Sequence, residues 1–323
     1  MHSEQNNFNM SALSTHLILM IRPYQFGFNP ETAESNAFQQ QDDQSGAKDI
    51  ASRAQQEFDQ MVARLTEAGV QVLVVEDTPS PLKPDAVFPN NWITLHDDGK
   101  IITYPMQANA RRQEVREDIV DQLMSVYGFS SRLAFEKDYP DGPFLEGTGS
   151  MILDRPNRVV YACLSPRTDR QVLEEWCRQT GYRPIAFRSV DSQGKEIYHT
   201  NVMMALGNDY AVICLESIPD PKDRQLVTDT LQSTGKAIVE ISLDQVNQFA
   251  GNMLQVLNKN GDPILVMSEQ ARQALHADQL ERLEARAQVL AIPLWTIERI
   301  GGGSARCMMA EIFPPKKVQS NHS

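Results

Sequence analysis

Cysteine is scarce: Cys163, Cys177, Cys214 and Cys307 are the only four in 323 residues. None forms a C-x-x-C pair, which excludes a disulfide scaffold, a local zinc site and a dithiol redox bridge, and a reducing, cytoplasmic setting fits. Positive charge is short too. With 30 Lys and Arg against 42 Asp and Glu the net charge is −12, so the surface repels phosphate backbones and anionic lipid. No nucleic-acid or membrane partner is expected. The first apolar run, Leu17 to Ile21, is far shorter than a signal segment or a spanning helix, so neither export nor insertion is read. No His, Cys and carboxylate group has a ligand spacing such as H-E-x-x-H, and neither a metal nor another cofactor is expected. Hydrophobic residues nevertheless reach 41%, enough for a large globular core.

What the chain does contain is a recurring unit. One copy runs from Phe144 to Leu153, turns at Arg155-Pro156-Asn157, continues over Val159 to Cys163, reaches Ser165, enters a helix over Arg170 to Thr180 and closes on Pro184 to Phe187. A second has Tyr198 to Leu206, a Gly207-Asn208-Asp209 turn, Tyr210 to Leu215, Ser217, a helix around Asp223 to Thr234, and Ala237 to Ile241. A third has Phe249 to Leu257, an Asn260-Gly261 turn, Pro263 to Met267, Ser268 and a charged helix to Gln288. The turns carry Asn and Gly, as hairpins needing positive φ do, and each Ser lies where a helix N-cap would use its hydroxyl. Asn90 to Leu95, Lys100 to Tyr104 and a helix over Arg111 to Tyr127 supply another copy. Leu17 to Arg22, a helix over Ala47 to Ala68 and Val70 to Val75 supply the last, completed by a strand returning after Gly303. Five units of about 50 residues predict an α/β fold, a five-bladed pseudo-symmetric propeller of ββαβ units closed around a central channel. The expected boundaries are a tail over 1–14, a single domain over 15–314 and a tail over 315–323. Two unrelated α/β domains would leave the repetition as coincidence. The outer helix faces could carry a homo-oligomer, though nothing in the composition demands one.

In such a ring the start of each first strand points at the axis, and polar residues there converge although far apart in sequence. They are Asp85, Asn90 and Asn91, then Glu146, then His199 and Asn201, then Asn252, and finally Cys307. Among the histidines, His2 and His322 lie near the chain ends, His96 in a polar turn, His276 on a charged helix and His16 before the first strand. Only His199 opens an apolar strand at a repeat boundary, where a satisfied structural histidine is the bland alternative. Cys163, Cys177 and Cys214 sit within strand or helix runs as small hydrophobes. Cys307 instead follows Gly301-Gly302-Gly303, where backbone can approach a ligand. A thiol needs a nearby base or a lowered pKa to attack carbon at neutral pH. Cys307, His199 and Glu146 are thus a candidate nucleophile, acid/base and orienting carboxylate, though spacing alone does not show that they touch. Gly147-Thr148-Gly149 and Gly301 to Gly303 lack the spacing of phosphate loops.

At these residues the chain resembles the guanidino-group-modifying superfamily of five-bladed α/β propellers. That group includes arginine deiminases, dimethylarginine dimethylaminohydrolases and arginine:glycine amidinotransferases. Pro84-Asp85-Ala86-Val87-Phe88, Arg111-Arg112-Gln113-Glu114, Leu145-Glu146-Gly147, Ser165-Pro166-Arg167-Thr168, His199 and the late Cys307 recur in that order. The resemblance implies a covalent mechanism at an amidino or ureido carbon of a free amino acid. Cys307 would attack, His199 would move protons and Glu146 would orient it. Arg112 and Arg167 would grip the substrate α-carboxylate, with Arg111 easily mistaken for Arg112.

Where many arginine-processing relatives place a carboxylate after the Val-Phe strand, this chain has Asn90-Asn91, and where some have His-x-Asp it has His199-Thr200-Asn201. A guanidinium offers donors only and asks for carboxylates, whereas a ureido group has a carbonyl that an Asn amide can serve. The pattern favours citrulline, in line with the citrulline-utilisation hydrolases that Pro89 to Trp92, Tyr198 to Asn201 and Arg306 to Met308 most resemble. Those are taken to release ornithine, carbon dioxide and ammonia. Asp85 and Glu146 could still bind a guanidinium, leaving arginine open as the substrate. The competing classes are an amidinotransferase, in which an amine such as glycine resolves the intermediate, and a non-catalytic member of the fold that binds an amino acid or a protein.

Overall fold

The computed structural model describes residues 12–33, 35–42 and 45–315. His2, His322, residues 1–11 of the expected N-terminal tail and residues 316–323 of the C-terminal one lie outside them. Leu13 and Ser14, assigned to that tail from sequence, are buried; Leu13 joins the largest apolar cluster and Ser14 Oγ accepts from Gln255 Nε2 at 3.1 Å.

Among the described residues, fifteen strands form five three-stranded sheets. Strands β1 (Leu17–Arg22) and β2 (Gln71–Glu76) belong to one. β3 (Ile93–Leu95), β4 (Lys100–Thr103) and β5 (Ser131–Ala134) form the next, then β6 (Ile152–Asp154), β7 (Val159–Leu164) and β8 (Arg183–Arg188). β9 (Met204–Leu206), β10 (Tyr210–Ile213) and β11 (Ala237–Glu240) follow, and β12 (Leu254–Leu257), β13 (Pro263–Ser268) and β14 (Gln288–Ile292) come last. β15 (Ala310–Glu311) returns to pair antiparallel with β1, so the end of the chain completes the first sheet. In every sheet the inner strand is antiparallel to the middle one and the outer strand parallel to it. The parallel pairs are bridged by helices, as a parallel crossover requires.

The middle strands read as apolar runs because both their faces are covered; β1 is buried from Leu17 to Ile21. The outer strand β2 carries only exposed and half-buried residues. Helices Ala47–Glu67, Glu117–Tyr127, Arg170–Thr180 and Pro221–Ser233 span the first four units. Three local expectations need correction. The helix expected from Arg111 starts at Glu117, after a separate turn Asn109–Arg112, and the charged helix of the fifth unit is two pieces, Glu269–Ala274 and Ala277–Glu284. Of the three serines, only Ser268 caps a helix; Asp169 and Asp220 cap the others, their carboxylates being better acceptors for free N–H groups, while Ser165 and Ser217 bond to Tyr198 and Cys214 carbonyls. His96 is buried, held between Thr94 Oγ1 at 2.9 Å and Arg155 Nη1 at 3.4 Å.

The inner strands are shorter than their apolar patterns suggest. Before β3, β6, β9 and β15 the chain makes a helical turn, over Pro89–Asn91, Gly147–Ser150, Thr200–Met203 and Ala305–Met308. Before β12 it turns at residues 247–251. These turns interlock around the axis at glycines. A Cβ on Gly147 would lie 2.3 Å from the Asn90 carbonyl oxygen, and one on Gly251 2.3 Å from that of Val202. The two expected phosphate-loop look-alikes are therefore packing devices: Gly301 and Gly303 press on the Phe88 ring in the same way.

Candidate active site

Because each turn faces the axis, residues from five units meet there. Glu146 precedes the Gly147–Ser150 turn and His199 the Thr200–Met203 turn, which puts their side chains side by side: His199 Nε2 lies 2.8 Å from Glu146 Oε2. An ionised carboxylate only accepts, so Nε2 carries the proton and Nδ1 presents a lone pair. Asn91 Nδ2 faces that lone pair at 3.4 Å, and Asn91 Oδ1 accepts from Arg111 Nη1 at 3.2 Å, which fixes the amide's orientation. Gly149 makes room for this contact, since a Cβ there would lie 2.2 Å from Asn91 Nδ2 and 2.7 Å from His199 Nδ1.

Burial would raise the Glu146 carboxyl, but Arg167, with Nη1 at 3.7 Å, and the His199 hydrogen bond outweigh it and hold the pKa at about 2. Burial lowers His199 to about 4 against the opposing pull of Glu146. Near pH 7 the pair is an anion beside a neutral imidazole. The Gln107 N–H also donates to Glu146 Oε1 at 2.9 Å.

Cys307 comes from the last turn. Asn201 Nδ2 lies 3.3 Å and Asn252 Nδ2 3.2 Å from its sulfur. All four cysteines are buried; burial pushes Cys163 and Cys177 up to about 12 and Cys214 up to about 11, as suits small core residues. Cys307 and His199 both line a cavity of about 20 Å³, room for about one water molecule, shared with Asp85, Asn91, Arg111, Arg167 and Tyr198.

The cations and remaining carboxylates gather around the same cavity. Arg111 is buried, forked onto Glu114 at 2.9 and 2.8 Å, and donates to the Phe88 carbonyl at 3.1 Å. Asp85 Oδ2 accepts from Asn29 Nδ2 at 2.7 Å, while Oδ1 has no hydrogen-bond partner among the described residues. Burial raises its pKa against Arg111 and Asn29. Arg167 lies over the Tyr198 ring, 4.9 Å from its centroid, and donates to the Thr32 carbonyl at 3.2 Å.

Six of the residues expected from sequence therefore lie at the cavity or against the sulfur, Cys307, His199, Asp85, Asn91, Arg167 and Asn201, and a seventh, Glu146, stands behind His199. Two do not. Arg112 points outward to the Met106 carbonyl and Asp141, because neighbouring residues of a helical turn diverge by about 100°, and Arg111 takes the inward place. Asn90 is buried but bonds through its backbone carbonyl to Thr148; three residues per turn send its side chain away from that of Asn91. Sequence reasoning missed Asn29, whose Asn29-Pro30 pair reads as loop punctuation. It noted Asn252 without connecting it to the sulfur.

A family model described as N,N dimethylarginine dimethylhydrolase, eukaryotic, matches residues 22–314. No curated protein sequence matches the chain. Among solved structures, the substrate-bound N-terminal domain of ArgZ, an arginine dihydrolase from the ornithine-ammonia cycle in cyanobacteria, is 19% identical with a TM-score of 0.69, the match covering 93% of this chain and 98% of that one. AgrE in complex with ornithine and NAD+ is 19% identical with a TM-score of 0.68, over 94% of this chain and 40% of that one. An adduct of dimethylarginine dimethylaminohydrolase with S-methyl-L-thiocitrulline is 15% identical with a TM-score of 0.63, over 93% and 100%. At such identities these likenesses speak for the five-unit architecture, whereas the family model spans nearly every described residue. The chain belongs to the N,N dimethylarginine dimethylhydrolase family, within the pentein superfamily of guanidino-group-modifying enzymes.

Proposed function

We propose that the protein is a cytoplasmic, cysteine-dependent hydrolase of the ureido carbon of free citrulline, yielding ornithine, carbon dioxide and ammonia. The observation that carries this reading is the neutrality of the groups around the reacting atoms. The side chains that hydrogen-bond the sulfur are Asn201 and Asn252, and the one facing His199 Nδ1 is Asn91. Glu146 is already committed to His199. A ureido group has one carbonyl acceptor and two N–H sides, which amides serve without leaving a buried charge unmatched.

The charged residues suit the other end of the substrate. Arg111 and Arg167 complement an α-carboxylate and the unpartnered Asp85 Oδ1 an α-ammonium. Arg112 is left with no part in this. In the reaction, neutral His199 accepts the Cys307 proton through Nδ1 as the sulfur bonds to the ureido carbon. The same proton passes to the departing nitrogen as its C–N bond breaks, and ammonia leaves. Water then gives a proton to His199 and its hydroxyl to the carbon, the S–C bond breaks as that proton returns to the sulfur, and the carbamic acid released loses carbon dioxide to become ornithine. Glu146 stabilises the imidazolium formed in both halves. A cavity of about 20 Å³ does not admit an amino acid, so the cover formed by Asn29, Thr32 and Asn36 has to separate from Asp85, Arg167 and Gly302 first.

The purified protein incubated with citrulline and, separately, with arginine tests this, with ornithine, citrulline and ammonia as readouts. Ornithine and ammonia from citrulline are expected. Citrulline formed from arginine, with no ornithine formed from citrulline, would defeat the reading. Asp85 Oδ1 favours a second one: a free buried carboxylate oxygen can also take a guanidinium, making arginine the first substrate and citrulline its bound intermediate. Ornithine from both substrates identifies that case.

A further inference from the structure

We propose that Asn252, with Asn201, forms a two-donor seat that aims the Cys307 sulfur and stabilises the negative charge it takes on as its proton passes to His199 Nδ1, so that neutral amides rather than a neighbouring cation carry that charge. The inference rests on Cys307 being the nucleophile. Asn252 is buried at the end of the turn before β12, and its amide cannot flip. Its Oδ1 accepts the Arg306 N–H at 3.0 Å, so Nδ2 faces the opposite way, where its two hydrogens meet the Asn201 carbonyl at 3.1 Å and the sulfur at 3.2 Å. Asn201 Nδ2 reaches the same sulfur at 3.3 Å from the neighbouring unit. Gly251 permits the approach, since a side chain there would strike the Val202 carbonyl.

A thiol is a weak acceptor, whereas a thiolate gains strongly from each N–H aimed at it. Two amides converging on one sulfur therefore match the anion better than the S–H form. The charged and titratable groups facing this point are His199, Tyr198, Asp85, Arg111 and Arg167, which share the cavity, and Glu146 behind His199. Arg306, next in the chain, turns its guanidinium away to the Met309 carbonyl and Glu311. Among the described residues, none of these makes a hydrogen bond to the sulfur, which leaves the two asparagines as its polar contacts.

The test is thiolate ultraviolet absorbance against pH for the full-length protein, with the C307S signal subtracted, alongside the pH profile of kcat. Asn252→Asp is close in shape and keeps the acceptor for the Arg306 N–H, but once ionised it cannot donate to sulfur; Asn252→Ala removes the donor without adding charge. Thiolate formation is expected to move up by about one pH unit in Asn252→Ala and further in Asn252→Asp, where a like charge is added. The acid limb of kcat should move by the same amount, which a merely structural role would not produce. Asn201→Ala, lacking the second donor, should move in the same direction, and it decides the matter if neither Asn252 variant folds. Folded variants that titrate with wild-type protein overturn the proposal. Wild-type protein that shows the expected titrations yet turns over neither citrulline nor arginine would instead sink the functional reading and leave the seat intact.

Discussion

Replacing Glu146 with glutamine changes one oxygen and tests the centre of the site. The carboxylate now accepts from His199 Nε2 at 2.8 Å and from the Gln107 N–H at 2.9 Å. A glutamine that keeps its oxygen on Gln107 turns an NH2 toward Nε2. The ring must then either lose that hydrogen bond or change tautomer, which places a hydrogen on Nδ1 where the reaction needs a lone pair. Hydrogen bonds to charged groups contribute about 1.5–3 kcal/mol, so the imidazolium formed during turnover should lose that much and kcat should fall about 10- to 150-fold. The acid side of the stability curve gives a second reading. Against the pull of burial, Arg167 and His199 hold the Glu146 carboxyl well below 4.5, so its stabilisation is fully present above pH 4.5 and lost as pH falls toward 2. Burial holds His199 below 6.5 as well, so the stability it contributes is present above pH 6.5 and lost as pH falls through 4. In E146Q the lower window disappears, while the His199 window extends to lower pH because the raising pull of Glu146 is gone. Ammonia release from citrulline and urea unfolding between pH 7 and pH 3 measure both. A kcat within about threefold of wild type, or acid-side profiles that superimpose, would refute the reasoning.

Cys307→Ser should abolish ammonia release while leaving the melting temperature within a few degrees of wild type, because its sulfur meets polar groups at a cavity wall; retained turnover would remove the covalent route. Arg111→Lys keeps a cation beside Glu114 but loses the two-pronged fork, so KM for citrulline should rise about tenfold or more, whereas Arg112→Ala should leave KM unchanged and cost less than about 1 kcal/mol, its pairing with Asp141 being a surface contact. The reverse order in steady-state kinetics would return the inward role to Arg112. Gly149→Ala inserts a methyl 2.2 Å from Asn91 Nδ2 and 2.7 Å from His199 Nδ1; moving the imidazole by even about 1 Å should lower kcat about 100-fold, and a variant with wild-type kcat would show that the contact is dispensable.

Family membership narrows the chemistry more than it fixes the substrate. The site differs from one built around a permanent cation in the amides that surround the sulfur, and the citrulline and arginine assays turn on that difference. The unpartnered oxygen of Asp85 is the feature to follow, since the proposed reading pairs it with the α-ammonium of an amino acid and the competing one with a guanidinium.

The repeat was legible because it is written in local chemistry. Apolar middle strands, Asn and Gly turns and amphipathic helices recur with a period short enough to count, and β1, β7 and the helix Arg170–Thr180 fall where their patterns put them. The convergence of Glu146, His199 and Cys307 followed from that symmetry, since equivalent positions in a ring face one axis. Periodicity could not show the helical turns ahead of the inner strands, because a short apolar stretch looks alike as a strand or a turn and only packing against the next unit selects between them. Those turns decide what local patterns leave open. They send Asn91 inward and Asn90 away, choose Arg111 over Arg112, and bring two asparagines from separate units onto one sulfur. Sequence thus determined the architecture and the residue types at the axis, whereas the direction of each side chain, set by close contacts between units far apart in the chain, was decided only in three dimensions.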